Sequence, residues 1–178
     1  MIDDVLSFWF EECEQAFWWQ KDADFDQSIA ERFGTLHKKA ASGELFQWRK
    51  SPDGCLAEII VLDQFSRNIY RDEPEAFACD PLALALAQNA VASGFDQQLS
   101  QIKRNFLYLP YMHSESKLVH EEAVKIYHAS GDAYTLEFEM KHKAIIDRFG
   151  RYPHRNAILG RESTAAEIAF LQTPNSSF

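Results

Sequence analysis

The sequence has few of the residues that interrupt or cross-link a chain. It contains 7 Gly, 6 Pro and 3 Cys in 178 residues. So few glycines and prolines exclude a linker-rich or low-complexity chain. Cys13, Cys55 and Cys79 are widely spaced and form no CxxC pair. This pattern favours free thiols in a reducing compartment over a disulfide framework or a thiolate zinc site.

The sequence also lacks an excess of positive charge and any long hydrophobic run. Its formal net charge is −9, which disfavours a nucleic-acid binder or a binder of anionic membranes. The longest run of Ile, Leu and Val, residues 59–62, is far shorter than the roughly 18 residues of a membrane span. The opening MIDDVLSFWFEE has acids where a signal peptide has basic residues. We therefore predict a cytoplasmic protein without a nucleic-acid or membrane partner.

What the chain does contain is apolar and aromatic sequence with helical spacing. Hydrophobic residues make up 46% and aromatic residues 13%, enough for a substantial core. Phe25, Ile29 and Phe33 recur four residues apart, as on one face of a helix. No segment alternates with a period of two, and no hairpin turn joins two β-rich runs. The sequence predicts a single all-α domain over residues 1–178, with 173–178 as a frayed tail.

Capping residues set the predicted helix boundaries. The apolar segment before LDQFSRNIYR predicts the buried first half of a helix that ends at about Tyr70. Pro110 is expected to interrupt the aromatic segment 105–111. The predicted helix stops are Gly43, Gly94, Gly131 and Gly150. The predicted helix starts are Asp3 or Asp4, Asp22 or Asp24, Ser51 with Pro52, Asp80 with Pro81, Ser114, Asp132, and Thr164 with Glu167.

The first polar motif is the sequence LDQFSRNIYR. On a helix, Asp63 faces Arg67 and Gln64 faces Asn68, because each pair is four residues apart. The preceding residues are apolar on all sides, so this polar half must reach solvent or line a cleft. One interpretation is a ligand site in which Asp63 orients Arg67 toward an anion. The other is a solvated helix end with an ordinary ion pair.

The second motif, PYMHSE, lies where a helix is predicted to begin. His113 and Glu115 beside a helix N-terminus could transfer protons, and the free backbone N–H groups there could hold an anion. In the alternative interpretation Ser114 caps the helix and Glu115 interacts with its dipole.

The third motif is a basic segment, residues 141–161, which also contains His142 and His154. Guanidinium groups suit recognition of a carboxylate or a phosphate. The same arginines could instead form structural salt bridges with the acidic helices. The segment holds six basic residues against the single acid Asp147: Lys141, Lys143, Arg148, Arg151, Arg155 and Arg161.

Patterns for metal, cofactor and nucleophilic chemistry are weak or missing. His113, His120, His128, His142 and His154 form neither HExxH nor a pair four residues apart. The sequence has no GxSxG, no phosphate-binding glycine loop and no GxGxxG. We therefore predict no metal and no cofactor.

The three motifs, in this order, resemble the bacterial family known as domain of unknown function 924. The resemblance rests on LDQFSRNIYR, FLYLPYMHSE and RFGRYPHRNAILGRESTAAEIAFL, together with the opening VLSFWF and Phe17-Trp18-Trp19. It covers essentially the whole chain. It implies an all-α fold similar to tetratricopeptide-repeat superhelices, with antiparallel helix pairs, in a soluble bacterial protein. It implies no established activity. The family's motif positions here are Asp63, Gln64, Arg67, Asn68, Pro110, His113, Ser114, Glu115, Arg148, Gly150, Arg151, His154, Arg155 and Asn156.

The function that we expect is binding of a small anionic ligand or a peptide carboxylate. The concave pocket for this ligand is inferred from the fold by analogy. It would gather Arg67, His113 and Glu115 with part of the basic segment. The predicted ligand-binding residues are Asp63, Gln64, Arg67, Asn68, Arg148, Arg151, His154 and Arg155.

Two further hypotheses use the same residues. The chain could be a metal-independent hydrolase or transferase, with His113 or His142 as general base and Glu115 as its partner. Arg67 or Arg151 would then stabilise an oxyanion. Alternatively, all the polar motifs are interhelical ion pairs of a scaffold. A pocket with His and Glu within about 3 Å favours the enzyme, an open basic groove favours binding, and fully paired arginines favour the scaffold. The sequence does not choose among them, nor does it indicate an oligomeric state.

Overall fold

The structure is a computed structural model of the chain, and it describes residues 1–174, 176 and 177. Within these residues every regular element is helical and no strand occurs, so the all-α prediction is confirmed. None of the helices in this part of the chain is long and apolar enough to cross a membrane. The α-helices are α1 (Ile2–Ser7), α2 (Ala23–Ala41), α3 (Pro52–Ile60), α4 (Ser66–Ile69), α5 (Asp80–Ala92), α6 (Gln101–Met112), α7 (Lys117–Ser130), α8 (Ala133–Phe149) and α9 (Ala165–Leu171).

Shorter helical segments connect these helices. Two are π-helical: Phe8–Glu12 continues α1, and Val61–Phe65 joins α3 to α4. The others are 3₁₀ turns at Gln15–Trp18, Phe46–Lys50, Pro74–Phe77, Asp96–Gln98 and Pro153–Arg155.

The chain divides into two compact units. Unit 1 comprises Met1–Arg71 and Glu75–Pro110, and unit 2 comprises Asp72–Pro74 and Tyr111–Phe178. The single domain and the tetratricopeptide-like arrangement stay predictions. The tail expected to fray includes residues 175 and 178, which lie outside the described residues.

The core of unit 1 is built around the helix that runs from α3 into α4. The apolar residues 59–62 have no exposed surface, which confirms that the first half of this helix is central. α3 packs against α1 and α5, and the π-turn Val61–Phe65 packs against α2. A π-turn closes its hydrogen bonds over five residues instead of four. The side chains that follow it are therefore rotated relative to a continuous α-helix, which the sequence did not predict.

Unit 2 contains the helical hairpin of α7 and α8. Gly131, with φ of 78°, and Asp132 connect the two helices, so they pack antiparallel. Ile145, Ile146 and Tyr152 form a buried cluster at the end of α8. The rings of Phe149 and Phe170 pack against this cluster, which joins α9 to it.

Most predicted helix boundaries are confirmed. Asp22 caps α2 by accepting from Phe25 N–H at 2.8 Å, and Asp132 caps α8. Thr164 and Glu167 form the predicted capping box of α9. The glycines predicted as helix stops, Gly43, Gly94, Gly131 and Gly150, all have positive φ.

Three predicted N-cap residues are wrong. α1 begins at Ile2, with Met1 as N-cap, and Asp3 and Asp4 lie in its first turn. Asp80 is the first residue of α5 rather than its cap, because its carboxylate binds Arg67. Ser114 does not begin a helix: Ser116 is the N-cap of α7. The Ser114 hydroxyl instead accepts a hydrogen bond from the Ser116 N–H at 3.2 Å.

The predicted interruption at Pro110 is also wrong. α6 continues through this proline to Met112. The proline lies close to the helix end, so its missing N–H removes a single hydrogen bond in the last turn. The buried apolar residues on either side of Pro110, Leu109 and Tyr111, support this geometry by packing.

The structure selects Asp22 over Asp24 as the cap of α2, and this choice is testable. Asp22→Ala is expected to lower the free energy of unfolding by about 1 kcal/mol, because it removes the capping hydrogen bond. Asp24→Ala, an exposed matched control, should cost only about 0.3 kcal/mol through the helix dipole. Urea unfolding of both variants measures the difference, and equal losses would contradict the assignment.

Candidate functional site

The first motif lies in unit 1, where Arg67 binds two carboxylates. Its Nη1 lies 3.2 Å from Asp63 Oδ1 and donates to the Asp63 carbonyl at 2.7 Å, so the predicted Asp63–Arg67 pairing is confirmed. The guanidinium also donates to both carboxylate oxygens of Asp80, at 3.0 and 3.1 Å. The sequence did not reveal Asp80 as a partner, because it lies on a separate helix. Arg67 therefore ties α5 to the helix that carries the motif.

The predicted contact between Gln64 and Asn68 is not formed. The Gln64 amide donates to Asp63 Oδ2 at 2.6 Å, and the Asn68 amide donates to Asp26 Oδ1 at 2.7 Å. Each amide is instead bound to a buried or half-buried carboxylate, which is a stronger acceptor than another amide. Asp26 also forms an ion pair with Arg71, which joins α2 to the end of the motif.

A buried Ser–His contact in unit 1 was missed by the sequence analysis. His37 Nε2 lies 2.7 Å from Ser66 Oγ, and Ser66 Oγ donates its proton to the Leu62 carbonyl at 2.6 Å. Burial lowers the pKa of His37, so the ring is neutral. Because the Ser66 proton already goes to a backbone oxygen, His37 does not activate it as a base would activate a nucleophile. The contact is structural.

The second and third motifs meet in unit 2, at Glu115. Arg161 donates to both carboxylate oxygens of Glu115, at 2.6 and 2.9 Å, and the Tyr152 N–H donates at 2.7 Å. Burial acts to raise the pKa of Glu115, but these hydrogen bonds outweigh it and hold the pKa below the usual value. An ionised carboxylate with three donors is poorly suited to donate a proton at neutral pH. It ties the segment before α7 to the basic segment.

Two other arginines of the basic segment, Arg151 and Arg155, also connect parts of unit 2. Arg151 donates to both carboxylate oxygens of Glu167, at 2.6 and 2.8 Å. These hydrogen bonds hold the pKa of Glu167 far below its usual value. Arg155 donates to the His113 carbonyl at 3.0 Å, and its guanidinium lies 4.8 Å from the centre of the Tyr152 ring. Arg155 is buried, so it is part of the interior of unit 2.

A histidine and a glutamate do lie within hydrogen-bond distance, but they are not the predicted pair. His120 Nδ1 is 2.7 Å from Glu139 Oε1, and His120 Nε2 is 2.8 Å from the Ser114 carbonyl. Both side chains have 0% exposure, so a substrate does not reach them. Both ring nitrogens face acceptor oxygens, which requires a second proton on the ring or a proton on Glu139. Burial raises the pKa of Glu139, which favours its protonated form.

The sequence contains an indication that Glu139 is buried and paired. Glu139 shares the inner face of α8 with His142 and Ile146, at spacings of three and seven residues. A glutamate on a buried stripe needs a partner. The partner's identity depends on the packing of α7 against α8, which the spacing alone does not give.

His142, a predicted general base, is buried on α8. Its Nδ1 donates to the Phe138 carbonyl at 2.8 Å, and its ring lies 5.9 Å from that of Tyr152. Burial is the main cause that lowers the pKa of His142 to about 3; the hydrogen bond to Phe138 opposes it, and the neighbouring His113, His120 and His154 contribute to the lowering. A base with so low a pKa is poorly matched to proton abstraction at neutral pH. Among the described residues, no group of His, Cys, Asp or Glu side chains is arranged to hold a metal ion.

Arg148 differs from the other arginines of the motifs. Among the described residues, neither a carboxylate nor any other hydrogen-bond acceptor contacts its guanidinium. Instead, the guanidinium lies 4.6 Å from the centre of the Phe149 ring and 5.7 Å from that of Phe170. These groups line a surface hollow of about 280 Å³ between α8 and α9. The residues that line it are Lys141, Ala144, Ile145, Arg148, Phe149 and Phe170.

These observations define an all-α protein whose polar motifs mainly connect its helices and whose Arg148 lies at a surface hollow. The chain belongs to the family described as bacterial protein of unknown function (DUF924), whose model matches residues 5–175. It is similar to the solved structure of a protein of unknown function from Agrobacterium tumefaciens. The two share 38% identity over 96% of each chain, with a TM-score of 0.90. No curated protein matches the sequence.

The buried neutral His142 predicts a pH dependence of stability. Its pKa is about 3 in the folded chain and about 6.5 when unfolded. The unfolded chain therefore binds the proton first, and stability falls as the pH is lowered through this window, by up to about 1.4 kcal/mol per pH unit. In His142→Gln this contribution disappears, so the unfolding free energy should depend less steeply on pH between 6.5 and 4.

The control for this measurement is His128→Gln, at an exposed position on α7. Urea unfolding of the three proteins across the pH range gives the slopes. His128→Gln should run parallel to the wild type. A His142→Gln slope equal to the wild-type slope would show that His142 titrates normally in the folded chain.

The same substitution at two positions compares the stability contribution of an arginine that pairs with a carboxylate, Arg161, with that of Arg148. Arg161→Met leaves the half-buried Glu115 without its cation and is expected to cost about 2 kcal/mol of unfolding free energy. Arg148→Met removes the same charge but breaks no ion pair or hydrogen bond with the described residues, so it should change stability by less than about 0.5 kcal/mol. Thermal unfolding compares the two variants. A larger loss for Arg148→Met would contradict these assignments.

Proposed function

We propose that this protein is a binding module for a small carboxylate ligand with an apolar group, and that the ligand binds in the hollow between α8 and α9. The observation that carries the proposal is the exposed Arg148, whose guanidinium contacts aromatic rings and no carboxylate among the described residues. Arg148 belongs to the predicted ligand-binding set. The proposal moves the centre of the site from Arg67 to Arg148.

The aromatic contacts leave the hydrogen-bond donors of Arg148 available. A cation–π contact holds the guanidinium by its face and uses none of its N–H groups. The planar fork of donors is then free to bind both oxygens of a carboxylate. Phe149 and Phe170 lie 5.1 Å apart, between ring centres, beside the guanidinium. An apolar group attached to the carboxylate would pack on these rings.

The size of the hollow restricts the ligand. Its volume of about 280 Å³ is at the lower limit of the roughly 300–1,000 Å³ typical of small-molecule sites. It suits one aromatic or branched aliphatic group better than a larger metabolite. Lys141 at the far side of the hollow adds a second positive charge, although it pairs with the exposed Glu137 at 2.8 Å. Exposed pairs of this kind are weak and exchange easily.

For the other motif arginines, the geometry supports the scaffold hypothesis. Arg67, Arg151 and Arg161 each bind both oxygens of a carboxylate on a different segment. Their role in this proposal is to connect helices within each unit. Catalysis has weaker support, because the His120–Glu139 pair is fully buried.

The proposal is tested with N-acetylphenylalanine and its amide, which differ only in the carboxylate. The acid is expected to bind with a Kd of about 1 mM, because ligands gain roughly 0.3 kcal/mol per non-hydrogen atom. The amide should bind at least about tenfold more weakly, since it cannot pair with the guanidinium. Chemical-shift titration of the ¹⁵N-labelled protein measures both and identifies the residues that respond.

Two variants complete this test. Arg148→Ala should weaken binding of N-acetylphenylalanine about tenfold, whereas Lys143→Ala should leave it unchanged. Lys143 is a matched control because it lies on the same helix and already pairs with Asp147 at 2.6 Å. Equal affinity for acid and amide, or equal loss in both variants, would refute a carboxylate site at Arg148.

A further inference from the structure

The hollow is one end of a longer stripe along the outer face of α8. Tyr134, Phe138, Lys141, Ile145 and Arg148 follow one another at alternating spacings of four and three residues. This alternation places side chains on a single face of a helix. We define Tyr134, Phe138, Lys141 and Arg148 as the outer stripe. Ile145 lies beneath it and is buried.

Aromatic and cationic groups are in contact along the outer stripe. The rings of Tyr134 and Phe138 lie 5.0 Å apart, and the Lys141 ammonium lies 4.8 Å from the centre of the Phe138 ring. Tyr134 is 70% exposed, and Phe138 beside it is partly exposed. Large apolar side chains that are exposed together on one helix face are typical of an interaction surface.

We propose that the outer stripe is the docking face for an amphipathic helix that carries acidic side chains beside its apolar ones. At the Arg148 end of the stripe, this inference rests on the proposed function, because an apolar residue and a carboxylate of the partner would occupy the hollow there. It extends that function by naming the partner as a peptide helix.

The spacing and length of the stripe favour a helix as the partner. Alternation of four and three residues is the spacing of the contact face between two packed helices. From Tyr134 to Arg148 the stripe extends over about 21 Å of helix axis, given a rise of 1.5 Å per residue. A partner helix of about four turns would cover it. A small ligand in the hollow would leave Tyr134 and Phe138 exposed.

The charges of the stripe determine the charge of the partner. Lys141 and Arg148 lie seven residues apart, so glutamates two turns apart on a parallel or antiparallel helix would meet both. The Lys141–Glu137 pair is exposed on both sides, at 41% and 65%, so a partner carboxylate can replace Glu137. An anionic membrane is less favoured than a peptide, because an extended charged surface meets the field of the whole chain, with its net charge of −9, whereas a single helix contacts only the stripe and its two cations.

The test uses two fluorescein-labelled 15-residue peptides. Both are amphipathic helices built from Leu and Ala with one charged residue type, Glu in the first and Lys in the second. Fluorescence anisotropy measures their binding to the intact protein. The wild type should bind the Glu peptide and bind the Lys peptide at least about tenfold more weakly.

A charge exchange gives the decisive comparison. The double variant Lys141→Glu with Arg148→Glu should lose affinity for the Glu peptide and gain affinity for the Lys peptide, each by about tenfold. Unfolding would abolish affinity for the Glu peptide without any gain for the Lys peptide. A gain for the Lys peptide therefore shows that the variant is folded and that the charge of the stripe sets the charge of its partner. Leu118→Ala, on the 74% exposed side chain of α7, is the control and should change neither affinity.

A second variant separates this proposal from the proposed function. Tyr134→Ala with Phe138→Ala should weaken binding of the Glu peptide about tenfold and leave binding of N-acetylphenylalanine unchanged. If N-acetylphenylalanine binds but the peptide does not, helix docking is refuted and the proposed function stands. If the peptide binds and N-acetylphenylalanine does not, the proposed function fails and docking stands.

Two alternative occupants are further outcomes. The wild-type protein is also sedimented with phosphatidylserine–phosphatidylcholine vesicles. If it binds the vesicles but not the Glu peptide, the stripe is a lipid-binding surface and the proposal is overturned. Wild-type protein that sediments as a dimer, and becomes monomeric with Lys141→Glu and Arg148→Glu, would identify a second copy as the occupant. That result would overturn the proposal as well.

Discussion

Buried carboxylates, and the arginines and histidines that must face them, are the constraint on which both units depend. A carboxylate removed from water is strongly destabilising unless a cation or several donors meet it. Glu58, with no exposed surface, meets Arg49 through two hydrogen bonds of 2.8 and 2.7 Å. Asp63 meets Arg67 in the same unit, and in unit 2 the carboxyl group of Glu139, whose protonated form burial favours, meets His120. Each pair joins segments that are separate in sequence or fixes the end of a helix.

The same constraint distinguishes the residues that hold the fold from those available to a ligand. An arginine whose donors already point at a carboxylate has little capacity for a second anion, and breaking its pair leaves a buried charge. Arg151 and Arg161 are of this kind. Arg148 is held by ring faces instead, so its donors and the apolar hollow beside it are available together. The recognition of one carboxylate on an apolar body that we propose rests on that combination.

The sequence predicted what local rules determine and missed what depends on packing. The all-α class, the caps Asp22 and Asp132, and the Asp63–Arg67 pair depend on residues a few positions apart, and all are confirmed. The π-turn Val61–Phe65 has no such signal, and the further partners of the motif, Asp80 for Arg67 and Asp26 for Asn68, lie on other helices. The candidate site was predictable only in part. Arg148 is in the predicted set, but the hollow also needs Phe170 from α9, and the pairing of the other arginines depends on distant carboxylates.

Among the motif arginines, we propose that Arg148 is the one whose donors are available to an anion. A ¹H–¹⁵N spectrum of the arginine Nε–H groups, recorded while benzoate is added, tests this claim directly. We expect the Arg148 signal to move with increasing benzoate, and the signals of Arg67, Arg151 and Arg161 to stay in place because carboxylates already occupy their donors. Movement of the Arg67, Arg151 or Arg161 signal with a stationary Arg148 signal would contradict the account.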